Sequence, residues 1–132
     1  MYLLDTDICI YAIKKKPAGV LHTLKKKSRG GIHVSSITMA ELEYGAEKSA
    51  FPEKNRVALI EFLSIFDILK FDEKDATEYG RIRARLEKKG TPIGLMDLLI
   101  ASQTLSQNFV LVSNNLKEFS RIEDLRVENW AG

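Results

Sequence analysis

Short, continuously apolar runs alternate with longer stretches of helical periodicity along this chain, and that alternation limits the fold more than any other feature. Residues 1–4, 32–35, 68–69 and 109–112 read as buried strands, and residues 125–127 as a last one. Strands this apolar are buried on both faces, which a parallel sheet covered by helices achieves. The expected fold class is therefore α/β, a three-layer α/β/α sandwich around a mainly parallel central sheet. No repeat, linker or low-complexity segment interrupts the pattern, so one domain is expected over residues 1–132.

The helices announce themselves by spacing and punctuation. Ile8, Ile10, Tyr11 and Ile13 follow Asp7, which is a suitable N-cap, and Lys14-Lys15-Lys16-Pro17 ends that helix. Val20, Leu21 and Leu24 mark a second helix, and Gly30-Gly31 a turn. Ser36 or Thr38 is expected to cap a third, carrying Met39, Leu42 and Ala46. Val57, Leu59, Ile60, Leu63 and Phe66 give a fourth. Asp72 opens a long helix that Gly90 closes after Lys88 and Lys89, and a last one runs from Asp97 to about Gln107.

Lys plus Arg number 20 and Asp plus Glu 18, so the net charge of +2 does not by itself mark a nucleic-acid binder. One cysteine, Cys9, excludes an internal disulfide and suits a reducing compartment. With two histidines besides, the chain offers little for zinc. No signal peptide is expected, and no apolar run approaches the ~20 residues a membrane span needs. A cytoplasmic protein is the expectation.

Three acids border apolar segments. Asp5 ends Met1-Tyr2-Leu3-Leu4, Glu41 lies early in the 37–46 stretch, and Asp97 opens Leu98-Leu99-Ile100-Ala101. In open parallel sheets, sites gather beyond the carboxyl ends of strands. Carboxylates that converge there repel one another unless a hard cation holds them. Carboxylate and water donors suit Mg2+ or Mn2+ rather than zinc or copper. Each acid also has a plain structural reading. Asp5 suits a turn, Asp97 a helix cap, and Thr38-Met39-Ala40-Glu41 a capping box.

Four segments occur in order: Leu3-Leu4-Asp5-Thr6-Asp7-Ile8, Ser35-Ser36-Ile37-Thr38-Met39-Ala40-Glu41-Leu42, Gly94-Leu95-Met96-Asp97-Leu98-Leu99-Ile100-Ala101 and Val112-Ser113-Asn114-Asn115-Leu116-Lys117-Glu118-Phe119, closed by Arg126-Val127-Glu128-Asn129-Trp130. Together they resemble the PIN-domain family, and more closely the VapC toxins of bacterial toxin–antitoxin pairs. The resemblance implies a metal-dependent endoribonuclease using one or two Mg2+ or Mn2+ ions. It implies Asp5, Glu41 and Asp97 as the catalytic and metal-binding acids. A fourth acid is common in the family after the fourth strand. Here Asn114 and Asn115 stand there, so Glu118, Asn115 or a water is expected to complete the site, with Thr6 and Ser113 as supporting hydroxyls.

The same resemblance implies a VapB-like antitoxin, a homodimer and toxin–antitoxin hetero-oligomers. It implies structured RNA as substrate, with tRNA, initiator tRNA included, the expected target. Lys14, Lys15 and Lys16, and Arg81 with Arg85 at i, i+4, are candidate phosphate contacts. Val20, Leu21 and Leu24 and the set Val57, Ile60 and Phe62 are candidate docking positions for a partner, with core packing as the competing role. Tyr11, Tyr44, Phe62 and Trp130 are expected in the core. Two alternatives stay open: a non-catalytic PIN-fold module binding RNA or protein, and an aspartate-nucleophile phosphatase of the haloacid dehalogenase type, suggested by Asp5-Thr6-Asp7.

Overall fold

The computed structural model describes residues 1–131. Five strands, β1 (Tyr2–Leu4), β2 (Ile32–Ser35), β3 (Asp67–Leu69), β4 (Val110–Val112) and β5 (Val127–Glu128), form one sheet in the order β3-β2-β1-β4-β5. Every pairing is parallel, with Leu4 aligned to Val34 on one side and to Val112 on the other. The last strand starts at Val127 rather than Leu125, which packs half-buried beside the core instead.

The helices are α1 (Thr6–Lys14), α2 (Ala18–Lys27), α3 (Ser36–Glu47), α4 (Pro52–Leu63), α5 (Glu73–Lys89), α6 (Leu95–Ser106) and α7 (Leu116–Phe119). Alternation along the strands divides the core into two layers. Leu3 and Leu111 face Ile82 and Leu86 of α5 and Leu98, Ile100 and Ala101 of α6. Leu4, Val34 and Val112 face Ile8, Cys9 and Ala12 of α1, Val20 of α2, Leu42 of α3 and Leu59 of α4. The expected α/β/α sandwich is what forms.

Trp130 joins the second layer, edge-on to Tyr2 at 5.2 Å between ring centroids, and Cys9 is fully buried there. Tyr44 departs from expectation: it lies on the outer face of α3 at 65% exposed. Val20 is core, and Leu21, Leu24 and Phe62 pack against it, whereas Val57 and Ile60 are 56% and 61% exposed. Val57 and Ile60 are therefore the most exposed of the docking candidates, and Leu21, Leu24 and Phe62 are half-buried. No helix among the described residues is long and apolar enough to cross a membrane.

Local signals explain most element ends. Asp72 and Asp75 form a reciprocal capping box at the start of α5, and Gly90 ends it at φ 72°. Gly31 enters β2 at φ 80°, and a Cβ there would meet Met1 Cγ at 3.2 Å. Three expected caps move. Asp5, not Asp7, caps α1, and Ser35, not Ser36 or Thr38, caps α3 by accepting from the Ile37 N–H at 3.0 Å. Gly94, not Asp97, precedes α6.

The layer that β1 and β4 share with α5 and α6 is a sensitive point for stability. Leu111→Ala removes a side chain with no exposed surface, beside Leu3 and Leu98. The expected cost is about 3 kcal/mol, read as a lower urea midpoint, with Leu116→Ala, 43% exposed, changing it little.

Candidate active site

The strand order reverses between β1 and β4: the chain leaves β1 toward β2 and β3, then returns to lay β4 on its other edge. A crevice opens at such a point beyond the strands' carboxyl ends. Asp5 directly follows β1, and Ser113 directly follows β4. The Ser113 hydroxyl donates to Asp5 Oδ2 at 2.7 Å, and the Thr6 N–H donates to Asp5 Oδ1 at 2.8 Å. A cleft of about 310 Å³ lies above them, lined by Asp5, Thr6, Asp7, Ile10, Glu41, Asp97 and Asn115. The three acids expected from the sequence thus face one space.

Each arrives by its own element. Because α3 starts at Ser36, Glu41 lies beyond its first turn and cannot close a capping box on Thr38. Its Oε1 accepts instead from the Thr6 hydroxyl at 2.7 Å, across the cleft floor. Asp97 occupies the first turn of α6, where the helix dipole favours a carboxylate. Glu118 Oε1 accepts from the Gly94 N–H at 3.0 Å, so the start of α6 is held by an acid from α7. Asn115 Nδ2 donates to Glu118 Oε2 at 2.8 Å and approaches Asp97 Oδ2 at 3.5 Å.

The charges register this crowding. Burial pushes Asp5 up to about 6, with Asp7 and then Glu41 adding repulsion against two hydrogen bonds that oppose it. Burial likewise pushes Asp97 up to about 7; the Asp5 charge adds to this, and Glu118 accepts a hydrogen bond only from the protonated form. Glu118 moves the other way, below the usual carboxylate range, because the Gly94 N–H and the Asn115 amide stabilise its charge. Burial also raises Asp7.

Among the described residues, no three His, Cys, Asp or Glu side chains already stand together as a closed set of metal ligands. An oxygen-lined cleft with two strained carboxylates still fits Mg2+ or Mn2+, which bind through one or two carboxylates and keep much of their water. A caged ion such as zinc would require the closed set.

The other candidates separate. Lys14 lines a neighbouring groove of about 300 Å³ between α1, α3 and α4, which shares Ile10 and Glu41 with the cleft. Lys15 and Lys16 are exposed past the far end of α1. Arg81 pairs with Glu78 at 2.6 Å and Arg85 lies 4.0 Å from Glu123; neither lines the cleft. Asp7 was missed as a cleft residue: its Oδ2 accepts from the Asn114 N–H at 3.1 Å, a partner 107 positions away that no local pattern reveals.

A model of the PIN domain matches residues 2–125. Ribonuclease VapC2 of Haemophilus influenzae is 48% identical over 129 residues, covering 98% of this chain and 97% of that protein. The tRNA(fMet)-specific endonuclease VapC of Shigella flexneri is 43% identical over 130 residues, 98% of each chain. Among solved structures, VapBC2 from Rickettsia felis bound to a DNA fragment from its promoter superimposes with a TM-score of 0.93 at 45% identity, over 98% of both chains. With this sheet order and these acids at its carboxyl edge, such near-complete matches place the chain in the PIN-domain family, among the VapC proteins.

Proposed function

We propose that this protein is a metal-dependent endoribonuclease toxin of the VapC type, a single PIN domain over residues 1–132 that hydrolyses phosphodiester bonds in structured RNA, tRNA foremost. The observation that carries the reading is the convergence of Asp5, Glu41 and Asp97 on one cleft at the β1/β4 switch point, where burial and the neighbouring Asp5 charge disfavour ionisation of Asp97, a strain that a cation would relieve. The relatives' printed names, ribonuclease and tRNA(fMet)-specific endonuclease, support RNA and point to initiator tRNA as the first substrate to try. The family match leaves the phosphatase alternative without support.

Asp5 and Asp97 would hold Mg2+ or Mn2+, with Glu41 joining directly or through water. Bound there, a divalent ion supplies positive charge against the phosphate and activates water as the nucleophile. Ser113 and the Thr6 N–H fix both oxygens of Asp5, and the Thr6 hydroxyl fixes one oxygen of Glu41 and leaves the other free for water. Glu118 is already engaged by Gly94 and Asn115, which suits a supporting role better than that of a further ligand. Lys14, beside Glu41 in the adjoining groove, is the basic residue best placed to meet an RNA backbone.

VapBC complexes among the structural neighbours support a VapB-like antitoxin as partner, in hetero-oligomers built on a toxin homodimer. A cytoplasmic location is part of this reading, because tRNA, the proposed substrate, is found there. The test is incubation of purified protein with tRNA. Cleavage in millimolar Mg2+ or Mn2+ that EDTA abolishes is expected. Intact RNA in every metal, or cleavage indifferent to EDTA, would overturn the proposal.

A further inference from the structure

Asp7 lines the cleft without belonging to the three acids assigned to it. Both of its oxygens are committed. Oδ1 accepts from the Ile8 N–H at 2.7 Å and Oδ2 from the Asn114 N–H at 3.1 Å. The second bond pins the loop after β4 to the first turn of α1. That loop sends three consecutive side chains to three places. Ser113 donates to Asp5 at 2.7 Å. Asn114 accepts from Asn129 Nδ2 at 3.0 Å and lies 3.4 Å from the Tyr11 hydroxyl. Asn115 stands between Glu118 and Asp97. Asp7 therefore grips the backbone one residue before Asn115, whose amide reaches toward both acids of the α6–α7 side.

An aspartate in this place carries a cost, since its charge is the largest electrostatic influence pushing Asp5 upward. Asparagine would remove that repulsion, but it has one acceptor oxygen for two backbone N–H groups. Two separate oxygens, one for each N–H, are what a carboxylate supplies here.

We propose that Asp7 is a positioning residue: through the Asn114 backbone it sets Asn115, and through Asn115 the side chains of Asp97 and Glu118. The inference rests on the divalent-ion reading above. Residues that orient ligands from behind typically change metal affinity about 10–100-fold.

The experiment is a Mn2+ titration followed by the electron paramagnetic resonance signal of the free ion, on wild type, Asp7→Ala, Asn115→Ala and the double variant. Thermal melts establish that each is folded at the titration temperature. Each single change is expected to weaken binding about tenfold. The double variant is expected to be within about twofold of the weaker single, because both act along one path. Asp7→Asn, which keeps one acceptor and the volume, is expected to lose less than Asp7→Ala, and it carries the cycle if Asp7→Ala does not fold. Unchanged affinity in Asp7→Ala, equal losses in Asp7→Asn and Asp7→Ala, or a double loss equal to the product of the singles would overturn the inference alone. A wild type that binds no Mn2+ would overturn the metal reading and this inference with it.

Discussion

RNA cleavage by Asp97→Asn is expected to fall by at least about 10²–10³-fold, the loss seen when one preorganised charge-stabilising group is removed. Asparagine keeps the shape of the side chain in the first turn of α6 and removes only its charge, so the loss reads the electrostatics. Asp5→Asn should fall as far. Its amide oxygen can still accept from the Thr6 N–H, and its amide nitrogen can donate to the Ser113 hydroxyl, so the cleft floor survives while its central negative charge does not. Glu118→Gln should lose much less, because Glu118 serves Gly94 and Asn115 rather than open space. Single-turnover cleavage of tRNA in saturating Mg2+, with enzyme in excess, separates these outcomes from weakened RNA binding. An Asp97→Asn protein within about threefold of wild type would remove Asp97 from the chemistry. A Glu118→Gln loss as deep as that of Asp97→Asn would make Glu118 a ligand.

The sandwich was legible because its determinants are local. Leu3 and Leu4 are adjacent and apolar, and adjacency in a strand sends them to opposite layers, which demands helices on both faces. Asp72, Asp75 and Gly90 bounded α5 for equally local reasons. The misplaced caps had competing local solutions. Ser35, Ser36 and Thr38 all carry hydroxyls, and the end of β2 decided among them by turning straight into α3. That same choice freed Glu41 from the capping box. Gly94 opens α6 without a side chain of its own because Glu118, 24 positions on, takes its N–H. The acids stood out singly, but their meeting depends on β1 lying beside β4, a pairing across about a hundred residues. Periodicity does not encode that pairing; the ordered set of motifs, through its family resemblance, did.

Without metal, the protein should melt at a lower temperature near pH 7.5 than near pH 5, by about 5 °C. Asp5 and Asp97 both have folded-state values above 3.8, at about 6 and about 7. A carboxyl raised in the folded state favours folding while protonated. Its contribution is whole below 3.8 and is lost as pH rises through the folded value. Asp7, raised as well, acts in the same direction. Glu118, lowered from 4.5, acts in the opposite direction, but its window lies at or below its ordinary value and so under pH 5. Asp5, only 5% exposed, carries on the order of 3 kcal/mol across its whole range, about half of it above pH 5. Asp97 is half-buried and adds less, because solvent screens it. Millimolar Mn2+ at pH 7.5 should reverse the trend, since an ion at 100 times its dissociation constant adds about 2.7 kcal/mol to the folded state. Asp97→Asn separates the two halves of the argument: in EDTA at pH 7.5 it should melt above wild type, and Mn2+ should no longer raise it. A wild-type melting temperature that climbs from pH 5 to 7.5 in EDTA, or is the same in EDTA and Mn2+, would mean that the acids do not strain the fold. The repulsion that destabilises the empty cleft and the affinity that fills it have one source, so stability and metal binding must change together.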